Sequence, residues 1–422
     1  MKKTLLSLSF LSASLAAMPF LTLGYKSVSM GGACVASSAN SLAVYNNPAL
    51  LAKNKDQWEF SAGGGISTYD HGASAPIQRL DDIDFLDTID KASNDIQALT
   101  PQEKRTLIEG KNIVLGMNND AVDINPQGYF GAKINNLGFG IFGYSDGAAI
   151  AKVNQAYDQL IFEYDGQYYK LNDNGTYQAS NAIEYQTRSM QYALEEGLTY
   201  LEVKGIALYE VPIGYAHNFE LSGGQLLVGG SIKYMYGVSY VEKYKIDNSD
   251  TLSGDDSEKD TSSSNFSFDL GIAYIPSFAK QLTIGIVAKN LTSPSFDTVS
   301  GDDIKIDPLI RIGIAYNILD SLEFALDYDI TSNATVVPDA DYQVIGGGLN
   351  WQATDWFSLR GGLMQNLDTE DKAGIVYTAG LGIGFPKFSL DVSGCYSSNQ
   401  STLDSTEVPT YAKINVALVS KW

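Results

Sequence analysis

The stretch LLVGGSIKYMYGVSY, residues 226–240, divides between two faces. Leu226, Val228, Gly230, Ile232, Tyr234, Tyr236, Val238 and Tyr240 fall on one side of an extended chain; Gly229, Ser231, Lys233, Gly237 and Ser239 fall on the other. Successive side chains of a strand point to opposite faces, so this is a strand with an apolar, tyrosine-rich side and a small, polar side. A soluble sandwich also buries one face. It has no reason to place charged groups regularly on the other while aromatic residues cap the apolar band, whereas a membrane barrel does both.

The same alternation recurs on either side of this stretch. Upstream it appears in Trp58, Phe60, Ala62, Gly64 and Ile66, then in a run over roughly 122–134, and in Ala207, Tyr209, Val211, Ile213 and Tyr215. The run 138–144 has the length of a strand, but its facing stays open because Ile141 and Phe142 are adjacent. Downstream come Phe266 to Tyr274, Leu282 to Ala288, Ile310 to Tyr316 and Leu322 to Ile330, with Asp269, Lys289, Arg311, Glu323, Asp327 and Asp329 between their apolar positions. Runs near 342–351, 356–365, 375–385 and 388–397 precede a last strand in which Ile414, Val416 and Leu418 alternate with Lys413 and Asn415 and the chain stops at Trp422. The fold class is therefore all-β: an antiparallel transmembrane barrel of about fourteen strands, an even number with both ends on one side.

Connection lengths support this independently of hydropathy. Long connections (68–121, 146–200, 244–264, 291–307) alternate with short ones (135–137, 218–224, 276–280, 317–321) along the whole chain. Long loops on the extracellular rim and short turns on the periplasmic rim are the outer-membrane arrangement. The two longest loops carry helical signals. Thr100-Pro101-Gln102-Glu103 is a capping box with Pro at the first helical position, and Gly110 fits the stop. Ile83, Leu86 and Ile89 share a helical face, Asp165-Gly166 is a two-residue hairpin turn, and Ile183, Thr187, Met190 and Leu194 predict one more helix.

The amino terminus is an address. Met1-Lys2-Lys3, the apolar run from Thr4 to Leu15 and the small residues near 16, or Thr22-Leu23-Gly24, read as a signal peptide over 1–24. After it, residues 29–52, SMGGACVASSANSLAVYNNPALLA, fit neither a strand nor a long helix. The organisation expected is a signal peptide, a plug or hatch over 25–56 lying in the lumen, and a barrel over 57–422. Composition agrees: 422 residues with net charge −21, 40 Gly, 26 Tyr and only two His. Such acidity leaves no Lys and Arg clusters for phosphates, so no nucleic acid contact is expected.

Gly31-Gly32-Ala33, Asn47-Pro48-Ala49-Leu50 and the strand opening at Trp58 resemble the hatch and first strand of FadL-type outer-membrane transporters of long-chain fatty acids and aromatic hydrocarbons. The acidic, Tyr-rich chain, its long first loops and the pair 205–219 and 226–240 look closer to a related barrel group labelled conjugal-transfer TraF-type. The resemblance implies an outer-membrane, monomeric barrel with periplasmic termini, embedded in outer-membrane lipid and passing small hydrophobic compounds such as long-chain fatty acids. The TraF-type label implies the alternative, an assembly or interaction platform with no transport role.

By that resemblance Gly31, Gly32, Asn47, Pro48 and Ala49 are hatch elements, and a ligand caught by the loops leaves sideways through a strand kink. Pro126 and Pro212 each remove a ladder donor and are candidate kinks. The terminal Trp422 resembles the signal read by the barrel-assembly machinery. Cys34 lies in the plug and Cys395 on the lumen face, so a plug-to-wall disulfide and two free thiols are both open. His71 and His217 fall at opposite rims and pair with no nucleophile motif, and the acidic runs at 255–258 and 368–371 lack the spacing of a calcium loop. No enzyme, cofactor or metal is expected.

Overall fold

The computed structural model describes residues 22–53, 58–246, 260–301, 303–385, 387–403 and 406–422. The signal segment up to residue 21 and the acidic run 255–258 lie outside them. Among the described residues fourteen antiparallel strands close a barrel. In order these are β1 (Trp58–Asp70), β2 (Ala121–Ile134), β3 (Leu137–Lys152), β4 (Tyr200–Leu221), β5 (Gly224–Lys245), β6 (Asp260–Pro276) and β7 (Leu282–Lys289). They continue as β8 (Leu309–Leu319), β9 (Leu322–Asp329), β10 (Val344–Thr354), β11 (Phe357–Asn366), β12 (Ile375–Phe385), β13 (Phe388–Ser397) and β14 (Tyr411–Lys421). Each strand pairs with its sequence neighbours, and β1 closes the ring on β14, Gly63 opposite Ala417. At that seam Trp58 and Trp422 exchange backbone bonds of 3.0 and 2.8 Å.

The two faces of β5 are as its alternation requires. Val228, Ile232, Tyr234 and Tyr236 are exposed outward, while Ser231, Lys233 and Ser239 are buried in the lumen. The wall is thus apolar outside, where it meets hydrocarbon, and polar inside. In β3 the adjacent Ile141 and Phe142 resolve into one residue on each side. Ile141 is exposed, and Phe142 turns inward to stack on Tyr45 of the plug at 4.7 Å.

The ladders lapse at both prolines. No pair joins Ile124, Asn125 or Pro126 to β3, although Asp123↔Ala148 and Gln127↔Tyr144 flank the gap in one register. Between β3 and β4 pairing stops after Phe139↔Ile213 and resumes at Phe142↔Glu210, which spans Pro212. Proline has no N–H to give the ladder, and the unchanged register shows a gap without a bulge.

The lumen is filled from both ends. From the short-turn rim comes the plug: α1 (Tyr25–Ser29), α2 (Ala43–Asn46) and a 3-10 turn over Pro48–Ala52. Packing begins before the later cleavage option, since Leu23 is fully buried and Lys413 Nζ donates to Thr22 O at 2.9 Å. From the long-loop rim the connections after β7 and β9 fold inward. Their Phe296, Ile304, Ile306, Val336 and Val337 join the same apolar cluster as Tyr45 and Leu50 of the plug.

The loops before β2 and β4 build a cap with its own core. It contains α3 (Ser74–Asp82), α4 (Phe85–Asp95), α5 (Pro101–Gly116), α6 (Ala182–Arg188), α7 (Met190–Glu195) and a three-stranded sheet around the Asp165-Gly166 turn. The capping box at Thr100 and Glu103 forms. Gly110, expected to end that helix, lies inside it, because a Cβ there would strike the ring of the fully buried Phe85. The single helix expected over Ile183–Leu194 is two. Ser189 leaves the helical conformation, donates to Ile161 O at 2.6 Å and caps α7 through Tyr192 N.

Candidate functional site: the plugged lumen and the cavity under the cap

The plug is held by wall charges aimed at its backbone. The Asp327 carboxylate of β9 accepts from Cys34 N at 2.7 Å and Val35 N at 2.9 Å. Beside it, Arg311 of β8 forks onto Asp329, with one arm at 2.8 Å, and its other arm reaches Gly32 O at 3.4 Å. Buried backbone amides need partners, and the irregular stretch between α1 and α2 cannot supply enough of its own. Lys233 lies 3.2 Å from both Glu210 and Asp269, and the ammonium of Lys289 stands 3.2 Å over the ring of Tyr45. At the short-turn end Glu59 of β1 accepts from Ser41 N and Ser41 Oγ, both at 3.1 Å, and Lys26 pairs with Glu323 at 2.5 Å.

Asn47, Pro48 and Ala49 come together as a small latch. The Asn47 side chain accepts from Ala49 N at 3.1 Å and donates to Val35 O at 2.8 Å, tying two parts of the plug together. Pro48 then opens the 3-10 turn at a position where no N–H is needed. The wall makes room for this latch with glycine: a Cβ at Gly229 would stand 2.5 Å from Pro48 C, and one at Gly271 would overlap Asn47 Oδ1. Gly31, at φ 63°, rests on the backbone of Gly347, where a Cβ would come within 2.6 Å of the carbonyl oxygen. Gly31 therefore needs both the left-handed conformation and the missing side chain.

The two thiols are free, and the plug-to-wall bridge is not formed. Cys34 packs with Val287 and Leu309, whereas Cys395 packs with Tyr69, Ala373 and Val376. Each faces its own part of the wall. Burial, reinforced by the charge of Asp327, pushes the Cys34 thiol well above its ordinary range.

The histidines also stay apart. His71 meets Asp123 at 3.1 Å beyond the end of β1, while the ring of His217 lies 4.7 Å from that of Phe219 near the short-turn end of β4.

Two apolar hollows lie outside the lumen. One of about 430 Å³ lies between the cap helices and the tall outward face of β2 to β4, lined by Ile77, Leu80, Phe85, Val122, Ala149 and Leu201 among others. Lower on the same face is a hollow of about 500 Å³ at Pro126, Gly128, Phe130, Ile141, Gly143 and Tyr209. The outward positions of β3 between them, Gly147 and Ser145, are small. Ser145 borders both that hollow and a lumen cavity of about 80 Å³. Beside the ladder gap at Pro126, Ser145 thus stands between the outer hollow and the lumen cavity. Alternation in β3 does not reveal this face, because its small residues carry no hydropathy signal; Pro126 and Pro212, beside the ladder gaps on either side of β3, point to it.

A family model described as "F plasmid transfer operon, TraF, protein" matches residues 44–329. No curated protein matches the chain. Among solved structures, the toluene transporter TbuX of Ralstonia pickettii is 14% identical with a TM-score of 0.50, covering 96% of this chain and 98% of that one. The toluene transporter TodX of Pseudomonas putida is 12% identical with a TM-score of 0.50, covering 97% and 99%. A FadL homologue of Pseudomonas aeruginosa is 11% identical over 96% and 99%, with a TM-score of 0.48. At these identities the likeness to the two toluene transporters is one of fold alone.

Proposed function

We propose, from the premise that this chain belongs to the family described as F plasmid transfer operon, TraF, protein, that it is an outer-membrane barrel through which small hydrophobic compounds pass. The cavity of about 430 Å³ under the cap carries this reading. It is lined mainly by aliphatic and aromatic side chains, as small-molecule sites are, and stands in line with the lower hollow at Pro126. The toluene transporters of similar fold are consistent with an apolar cargo. In this reading the cap takes up the compound, the small outward residues of β3 let it descend, and the ladder gaps at Pro126 and Pro212 let it into the wall. The plug, with Asn47, Pro48 and Ala49 as its latch, keeps the lumen shut to water. The long loops face outward from the cell, both ends of the mature chain face the periplasm, the barrel works as a monomer, and Trp422 presents the end of β14 to the assembly machinery.

The test is uptake of labelled aromatic hydrocarbons and long-chain fatty acids in a deletion strain, with and without the gene restored. Restored uptake of either class supports passage, and identical uptake in both strains overturns it. A platform role has its own observation: the cap has a separate core and leaves Ile183 74% exposed. Loss of DNA transfer in matings of the same deletion strain, with uptake unchanged, would establish that role instead.

A further inference from the structure

Inside the lumen, beside Thr22 at the start of the plug, lies the cavity of about 80 Å³. Passage along the outer face of β3 makes no use of it. Three tyrosines line it: Tyr69 of β1, Tyr342 just before β10 and Tyr411 of β14. The rings of Tyr342 and Tyr411 each stand at 80° to that of Tyr69, with centroids 6.5 and 5.8 Å away. Positive charge is drawn to the faces of such rings.

The charged groups in the lining are Asp123, Asp146, Asp371 and Lys413. Three of the four are engaged. Asp123 meets His71 at 3.1 Å, and Asp371 accepts from Tyr69 OH at 2.8 Å and Gly374 N at 2.9 Å. Lys413 Nζ donates to Thr22 O at 2.9 Å and to Gln127 Oε1 at 3.0 Å. Asp146 of β3 differs. It is only 4% exposed, its Oδ2 accepts from Val336 N at 3.1 Å, and among the described residues no cation pairs with it. The nearby Lys204 pairs with Glu202 at 3.6 Å. A carboxylate buried without a counter-charge is costly, and a cation in the cavity would remove that cost.

We propose that this cavity binds a compact organic ammonium ion, of the size of tetramethylammonium. Asp146 is its counter-charge, and Tyr69, Tyr342 and Tyr411 are its walls. Among the described residues no group of His, Cys, Asp and Glu is arranged to hold a metal ion, whereas aromatic rings beside a buried carboxylate suit an alkylated nitrogen. The site is independent of the passage of apolar compounds, because it lies on the other side of the wall from the hollows that carry that reading.

The experiment is calorimetric titration of the full chain in lipid nanodiscs with tetramethylammonium and with tert-butanol, a neutral molecule of similar shape, using empty discs as background. Tetramethylammonium is expected to bind at least about tenfold more tightly than tert-butanol. Asp146→Asn keeps an acceptor for Val336 N and should weaken tetramethylammonium by about tenfold or more. Tyr411→Leu should weaken it as well, and Tyr411→Phe, which retains the ring, should not. The heat-modifiable, folded band on a gel shows that each variant is folded. Should Asp146→Asn lose that band, the two probes and the two Tyr411 variants decide between them. Equal binding of the two probes overturns the site, as does tetramethylammonium binding that a folded Asp146→Asn leaves unchanged, or heat no greater than in empty discs. None of these outcomes bears on uptake of apolar cargo.

Discussion

Asp327 shows how much one wall residue contributes to closing this barrel. Its carboxylate satisfies two plug amides that have turned away from water, and charge-assisted bonds of this kind are worth roughly 1.5–3 kcal/mol each. Asp327→Ala leaves both donors unpaired and should loosen the plug around Cys34. The check is thiol labelling of the native barrel in a Cys395→Ser background. Cys34, fully buried in the parent, is expected to stay unmodified there and to react in the variant; equal protection in both would show that Asp327 does not hold the plug.

A second residue-scale expectation concerns Glu103. Its bond with Lys91, then its bonds with Thr100, hold its carboxyl down to about 2 from an ordinary value of 4.5. A depressed folded-state value means the cap of α5 is at full strength above the ordinary value and is lost as pH falls toward 2. Protection from hydrogen exchange at the first turn of α5, taken relative to the intrinsic rate at each pH, should therefore fall on acidification in the parent and be insensitive to the same change in Glu103→Gln.

The elements differ in how plainly sequence reported them. The capping box at Thr100, the hairpin at Asp165-Gly166 and the two faces of β5 are local patterns, and local physics decides them. Gly110 and Phe142 misled or resisted reading for a shared reason. Each is set by a residue distant in sequence, Phe85 in the first case and Tyr45 in the second. The furrow on β3 belongs here as well. A Cβ at Gly147 would come no nearer than 3.7 Å to its closest neighbour, so Gly147→Trp extends outward without disturbing the ladder. It should leave the heat-modifiable, folded band unchanged on a gel and reduce uptake of apolar cargo by about tenfold or more. Normal uptake in this variant would rule out passage along the outer face of β3.

At the scale of the molecule, the barrel is stoppered twice. The plug occupies the lumen from the short-turn side, and Phe296, Ile304, Val336 and Val337 occupy it from the other. Deleting residues 23–52 should therefore not by itself produce a large open pore in planar bilayers. Steady high conductance from that deletion would show that the inward loops do not seal.

The sequence by itself determined the barrel, a strand count of about fourteen, the parity of its loops and the presence of a plug, because each rests on a period or spacing carried by consecutive residues; closure at fourteen is seen in the structure. Only the tertiary structure decided where the plug is anchored, that Cys34 and Cys395 stand apart, and that apolar hollows of about 430 and 500 Å³ lie on the outer face of β2 to β4. These follow from which wall positions meet which distant loop, and the closure of the ring sets those meetings.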